Sequence, residues 1–193
     1  SSDLNGTSMY AYGPMELHPS ENYIYAYPRF TSGSFYKFSV NKGVVKELYY
    51  KGRLSTFWIS SSGERMYTPF WEVFLLSEIE LEDLTYSQNF SDVKNEIILA
   101  LSDSKARNKT LVLPMNQPVT VREYDYTYLN FQKSYAVEHF MVGTPSPQAK
   151  LYQGEGKYLF YNDDKNEGYV LLRAPATAGI SNDWALQPIY MNK

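Results

Sequence analysis

Apolar and polar residues alternate along this chain in short runs, each bounded by Gly, Pro, Asn, Ser or a charged cluster. A period of two belongs to a strand with one buried face, and the bounding residues are those that turns require. One phrase recurs four times: a turn of small or charged residues, then an alternating stretch of Tyr, Leu, Ile or Val. It stands as Pro19-Ser20-Glu21-Asn22-Tyr23-Ile24-Tyr25, as Ser61-Ser62-Gly63-Glu64-Arg65-Met66-Tyr67, as Asp103-Ser104-Lys105-Ala106-Arg107-Asn108-Lys109-Thr110-Leu111-Val112 and as Gly154-Glu155-Gly156-Lys157-Tyr158-Leu159-Phe160. Taking Tyr25, Tyr67, Val112 and Phe160 as equivalent, the steps are 42, 45 and 48 residues. That spacing fits four-stranded propeller blades. The expected fold is all-β, a β-propeller-like array of about four antiparallel blades. The repeat units run roughly over 10–50, 51–92, 93–134 and 135–193 of one all-β domain. A two-sheet β-sandwich is the alternative, because many short strands serve either fold.

Within the first unit the pattern predicts strands over 23–27, 34–40 and 44–50, with 15–18 leading into the first turn. The second unit repeats this over 55–60, 65–70, 73–79 and 84–90. Residues 75–84 carry some helical spacing, but the repeat assigns them to strand. In the third unit, Ile97-Ile98-Leu99-Ala100-Leu101 reads as a strand buried on both faces. Residues 119–128 read as one long strand with Tyr124, Tyr126 and Tyr128 on a single face. The fourth unit offers strands over 137–142, 157–161, 169–174 and 184–191.

Composition sharpens the fold and narrows the chemistry. The chain has 193 residues, 19 of them Tyr, and 17% are aromatic. Tyrosine suits half-exposed pleated surfaces, where its ring packs and its hydroxyl reaches water. Net charge is −3 and the 18 basic residues form no stripe. A nucleic-acid surface, which draws most of its affinity from phosphate neutralisation, is therefore not expected. No segment has the roughly 20 apolar residues that span a bilayer. Cysteine is absent, which removes disulfides, thiolate nucleophiles and cysteine metal sites. The polar opening Ser1-Ser2-Asp3-Leu4-Asn5-Gly6-Thr7 suggests an extracytoplasmic protein, secreted, periplasmic or surface-anchored. N-x-[ST] matches at Asn5, Asn89 and Asn108 are of the kind that chance produces in an Asn- and Ser-rich chain.

The first two turn phrases, His18-Pro19-Ser20-Glu21-Asn22-Tyr23-Ile24-Tyr25 and Ile59-Ser60-Ser61-Ser62-Gly63-Glu64-Arg65-Met66-Tyr67, resemble the blade motif of lactonase-like and YncE-like propellers. The resemblance covers about a quarter of the chain and implies a fold rather than an activity. Such families build more blades than the four found here. The resemblance therefore implies closure as a small ring, association with another chain, or membership of a larger propeller.

Candidate chemistry is sparse. His18 opens a blade turn and is expected to hydrogen-bond there, while Glu138 and His139 point to opposite strand faces and cannot form a relay. Asn162, Asp164 and Asn166 have the alternate spacing of calcium ligands, but Gly168 falls one place too late for an EF-hand loop, so a hairpin turn is the better reading. Residues 78–83 alternate acid and aliphatic, as a soluble edge strand would. No cofactor or metal is expected. The candidate ligand-binding residues are aromatic: Trp71 at a hairpin tip, and Tyr124, Tyr126 and Tyr128. Such rings stack on sugars or grip peptides, or else pack between blades. Trp58 and Trp184 are assigned to the core. The favoured function is a non-enzymatic binding module that presents aromatic-rich loops to a protein or glycan partner. The alternative is a lactonase-like or glycan-processing enzyme with its active site over a propeller channel.

Overall fold

A computed structural model describes residues 12–28, 35–41, 44–51, 56–92, 95–116, 119–142, 149–181 and 183–191. The chain divides into two compact units, Ser1–Gln88 and Asn89–Lys193.

The first unit holds two four-stranded antiparallel meanders. One is β1 (Tyr12–Leu17), β2 (Tyr23–Pro28), β3 (Phe35–Asn41) and β4 (Val44–Lys51); the other is β5 (Trp58–Ile59), β6 (Arg65–Tyr67), β7 (Glu72–Leu75) and β8 (Thr85–Asn89). Period-two alternation sends Tyr25 and Phe35 of the first sheet toward Met66 of β6, Phe57 just before β5, and Leu76 and Leu84 at the two ends of the β7–β8 connection. These side chains form the core of the unit, with Phe35 and Phe57 edge-on at 4.6 Å between ring centres. The geometry is that of neighbouring blades, with sheet faces stacked and side chains interdigitated.

In the second unit, β9 (Ile98–Ser104), β10 (Lys109–Pro114), β11 (Thr120–Asp125) and β12 (Phe131–Ala136) form a third four-stranded meander. The fourth repeat is split into a hairpin, β13 (His139–Val142) with β14 (Lys150–Gln153), and a three-stranded sheet, β15 (Glu155–Asn162), β16 (Glu167–Arg173) and β17 (Trp184–Tyr190). Leu111, Leu113 and Val121 meet Leu159, Val170, Leu172 and Ile189 in the core between these sheets. Two glycines make the fit possible. A Cβ on Gly168 would lie 2.5 Å from Leu111 Cδ1, and one on Gly156 would lie 2.6 Å from Leu113 Cδ2. The leucines of β10 thus occupy hollows left by missing side chains in the facing sheet.

Strand order follows chain order in every sheet, with no crossover, which is the pattern of successive blades and not of a two-sheet sandwich. Several strand assignments need correction. Residues 76–84 form a run of turns between β7 and β8, neither strand nor helix. The strand expected over 119–128 ends at Asp125, because the Asp125 carboxylate turns the chain by accepting from the N–H groups of Tyr128, at 2.6 Å, and Asn130, at 2.9 Å. Leu99 in β9 is 39% exposed, so that strand is not covered on both faces. Trp184 lies at the surface, not in the core, and Trp58 is half-buried.

Candidate functional site

The connection between β7 and β8 is held by a network of hydrogen bonds of its own. Its base closes where Leu84 N–H donates to Leu75 O at 2.8 Å, and its crown folds where the N–H groups of Glu82 and Asp83 both donate to Ile79 O at 3.0 Å. The Ser77 hydroxyl accepts from Ile79 N–H and donates to Glu82 Oε2. The alternation that suggests an edge strand is thereby wound into a knob. Ile79 and Leu81 stand outward, Leu81 at 88% exposure, flanked by the exposed carboxylates of Glu78, Glu80 and Glu82.

Asp83 points the other way and is fully buried. Its Oδ1 accepts from Ser77 N–H at 2.8 Å, and the Tyr25 hydroxyl donates to the same carboxylate at 3.2 Å. Lys37 of β3, only 2% exposed, brings its ammonium to within 3.1 Å of Asp83 Oδ2 and donates to Ser77 O at 2.7 Å. The same Nζ sits 4.3 Å from the centre of the Tyr23 ring and 5.3 Å from that of Tyr25. Desolvating two charges costs several kcal/mol each, and such a pair survives only where further hydrogen bonds satisfy it, as they do here. Burial, then the charge and hydrogen bond of Asp83, push the Tyr25 hydroxyl above its ordinary range. Burial, then the charges of Glu78 and Asp83, move Tyr23 the same way. The arrangement fixes the root of the knob to the first blade while leaving its crown in water.

Beside the knob lies an open hollow of about 470 Å³. Leu75, Leu76 and Leu81 form its apolar lining, and Glu64, Arg65 and Glu82 bring charge to it. Pockets for small ligands and peptide anchors occupy about 300–1,000 Å³. This one has room for one or two side chains of a partner.

Of the candidate aromatic residues, Trp71, Tyr124 and Tyr126 are 1%, 0% and 3% exposed and present no ring face to a ligand. Trp71 follows the turn between β6 and β7 with φ +68°, a left-handed conformation that carries its ring inward and leaves Phe70 at the exposed tip. Tyr124 is held edge-on between Phe90, at 5.0 Å, and Phe131, at 5.8 Å. Only Tyr128 of the four is open, at 69%. The three tyrosines do not share a strand face, because Tyr126 and Tyr128 lie in the turn beyond β11.

His18 makes the structural bonds expected of it, with one reaching farther than its own blade. Its Nε2–H donates to Gly63 O at 2.8 Å, while Nδ1 accepts from the Ser20 N–H and hydroxyl. His139 is exposed at the start of β13. The acidic phrase after β15 is a hairpin turn in which Asn162 Oδ1 accepts from the N–H groups of Asp164 and Lys165. Asn108 Oδ1 accepts from both N–H and hydroxyl of Thr127. Asn5 lies outside the described residues.

Lys37 and Asp83 were not singled out by motif. Strand parity held the signal: Lys37 faces the same way as Phe35 and lies directly opposite Tyr25 across β2 and β3. A lysine on the apolar face of a strand requires an acidic partner, and the sequence alone does not say which one.

No protein-family model and no curated protein matches the sequence. Solved structures match it in fold. The β-propeller domain of Cps50 (Swd1) from Myceliophteria thermophila is similar with a TM-score of 0.58 at 11% identity, over 93% of this chain and 54% of that one. U3-55K is similar with a TM-score of 0.58 at 10% identity, over 98% of this chain and 54% of that one. The chain thus spans about half the length of these structures. What they share with it is the β-propeller fold. The likeness of its turn phrases to lactonase-like and YncE-like blades is a likeness of hairpins alone, and the similarity to Cps50 (Swd1) and U3-55K does not support membership of those families.

Proposed function

We propose that this chain is a non-enzymatic binding module, extracytoplasmic in setting, that receives a segment of a partner protein on the 77–83 knob and in the hollow beside it. One observation carries the reading: a loop that shows Ile79 and Leu81 to solvent is tied at its root by the buried Lys37–Asp83 pair. A loop ordered before binding loses little entropy on association, so its contacts convert efficiently into affinity. Binding residues also concentrate on loops set in rigid frames. The chemistry names the complement, a segment with an aliphatic or aromatic anchor and neighbouring Lys or Arg. The anchor would enter beside Leu75, Leu76 and Leu81, and the basic groups would meet Glu78, Glu80 and Glu82. Those rim charges would speed association at low salt more than they would deepen affinity. The extracytoplasmic setting is supported by a sequence without cysteine, stable there through packing and a buried ion pair and with no thiol to oxidise.

Selection from a displayed peptide library tests the reading. Wild-type protein should enrich sequences that pair an apolar anchor with basic neighbours, and the variant Ile79→Ser, Leu81→Ser should lose them while unfolding at the same denaturant concentration. Glycan binding that depends on Tyr128, with no peptide enriched, would replace the protein partner with a sugar.

A further inference from the structure

Lys37 and Asp83 are held in a way that suits a covalent bond as well as an ion pair. Their side chains are 2% and 0% exposed, and Nζ stands 3.1 Å from Oδ2. The Tyr23 and Tyr25 rings border the ammonium at 4.3 and 5.3 Å from their centres. Burying a charged group costs far more than burying the same group neutral. The Lys109–Glu123 pair differs, because its lysine is 22% exposed and keeps contact with water.

The remaining contacts fit a neutral amide. Asp83 Oδ1 accepts from Ser77 N–H at 2.8 Å and from the Tyr25 hydroxyl at 3.2 Å, as an amide oxygen would. Nζ donates to Ser77 O at 2.7 Å, as an amide nitrogen with one hydrogen would. Joining Nζ to Cγ therefore removes both charges and leaves all three hydrogen bonds with a donor and an acceptor. The two donors on Oδ1 also stand where negative charge gathers when an amine adds to the carboxyl carbon, which is the role of an oxyanion hole. Holding amine and carboxyl in contact is equivalent to a concentration on the order of 10⁵–10⁸ M. A dry site also excludes the water that reverses condensation.

We propose that Lys37 and Asp83 condense into an amide cross-link between β3 and the base of the knob, formed by the chain itself. One proton passes from Nζ to Oδ2, giving an amine and a carboxylic acid. The nitrogen lone pair attacks Cγ, and the π electrons of the carbonyl move onto Oδ1, where Ser77 N–H and the Tyr25 hydroxyl stabilise them. As that electron pair returns, the Cγ–Oδ2 bond breaks, and Oδ2 leaves as water with a second proton from Nζ. An ammonium and a carboxylate thus become one amide and one water, and the balance needs no further reactant. The cross-link joins residues 46 apart and fixes the root of the knob whatever the knob binds.

Intact-mass spectrometry of the denatured 193-residue chain tests the proposal. Wild type should weigh one water less than its sequence, and a proteolytic digest should yield a branched peptide joining Lys37 to Asp83. Lys37→Arg, whose guanidinium does not condense, should keep the full sequence mass whether or not it folds. Followed from in vitro synthesis, Tyr25→Phe should lose its water about a hundredfold more slowly, as expected when one oxyanion donor is removed. A folded wild-type chain that keeps its full mass on prolonged incubation would overturn the proposal. So would a missing water traced to a cyclic imide within one peptide or to Lys109 and Glu123, or a Tyr25→Phe chain that condenses at the wild-type rate.

Discussion

His18 and Gly63 lock the first two copies of the repeated turn together. The imidazole donates across 45 residues of sequence to the Gly63 carbonyl, and the glycine, at φ +78°, has its α-carbon so close to the ring that a Cβ would fall 2.5 Å from Nε2. Replacing Gly63 with Ala therefore carries two penalties, about 1–2 kcal/mol for the left-handed backbone and more for displacing the ring. His18→Ala should cost about 1–3 kcal/mol by leaving a carbonyl without its donor. The double variant should be less destabilised than the sum, since the overlap vanishes and the backbone strain remains. Urea unfolding of the three variants measures this, and strict additivity would show that ring and glycine do not interact.

The Lys37–Asp83 pair should behave asymmetrically. Lys37→Met or Asp83→Asn alone leaves one buried charge without its counterpart and should cost about 3–5 kcal/mol. Lys37→Met with Asp83→Leu removes both charges and should recover part of that loss. The same denaturation curves decide it. A double variant whose loss equals the two single losses added would mean that the pair is not coupled.

Alkali should unfold this protein progressively. Burial, reinforced by Asp163 and opposed by Arg107, pushes the Tyr161 hydroxyl up to about 12. Burial and then the hydrogen bond and charge of Glu123 raise Tyr135 as well. Unfolded phenols release protons near pH 10. Between about pH 10 and 12 the unfolded chain therefore holds fewer protons than the folded one, and stability falls as pH rises. Below pH 10 the contribution is fully present. Absorbance titration at 295 nm should show one class of tyrosines ionising reversibly near pH 10 and a second appearing together with loss of near-ultraviolet dichroism. A single class with structure intact would contradict this.

The Leu111–Gly168 contact predicts that two small changes of opposite sense are both harmful. Leu111→Ala empties a fully buried site and should cost about 2–5 kcal/mol. Gly168→Ala overfills the same site and should cost about 1–3 kcal/mol. Together they should cost less than the two losses added, because the new methyl enters the space the leucine vacates. Thermal unfolding of the pair against the singles provides the measurement.

Features set by local chemistry were readable before the structure was known. The turn phrases at 19–22, 61–64 and 105–108 each lead into a strand, because Ser, Gly and Asn determine turns from within a few residues. The 77–83 knob was not readable. Its acid and aliphatic alternation imitates a strand, and two of the groups that hold Asp83 inward, Lys37 and the Tyr25 hydroxyl, are far off in sequence. Phe160 stands at the repeat position of buried Tyr25, Tyr67 and Val112, yet it faces outward. The bulge between Gly156 and Tyr158 explains this, since it steps the register and turns Leu159 toward the core instead. β12 went unread because Gln132, Lys133 and Ser134 give it almost no apolar face. The buried rings of Trp71, Tyr124 and Tyr126 depended on backbone handedness and turn placement, which aromatic content does not encode.

Lys37 also sets an order of events during synthesis. Asp83 follows it by 46 residues, and at about 5–20 residues per second a ribosome needs roughly 2–9 s to deliver it. Throughout that interval the nascent first sheet carries an ammonium whose folded-state partner has not yet been synthesised, and the cost of burying a charge without its counterpart opposes closing the sheet over it.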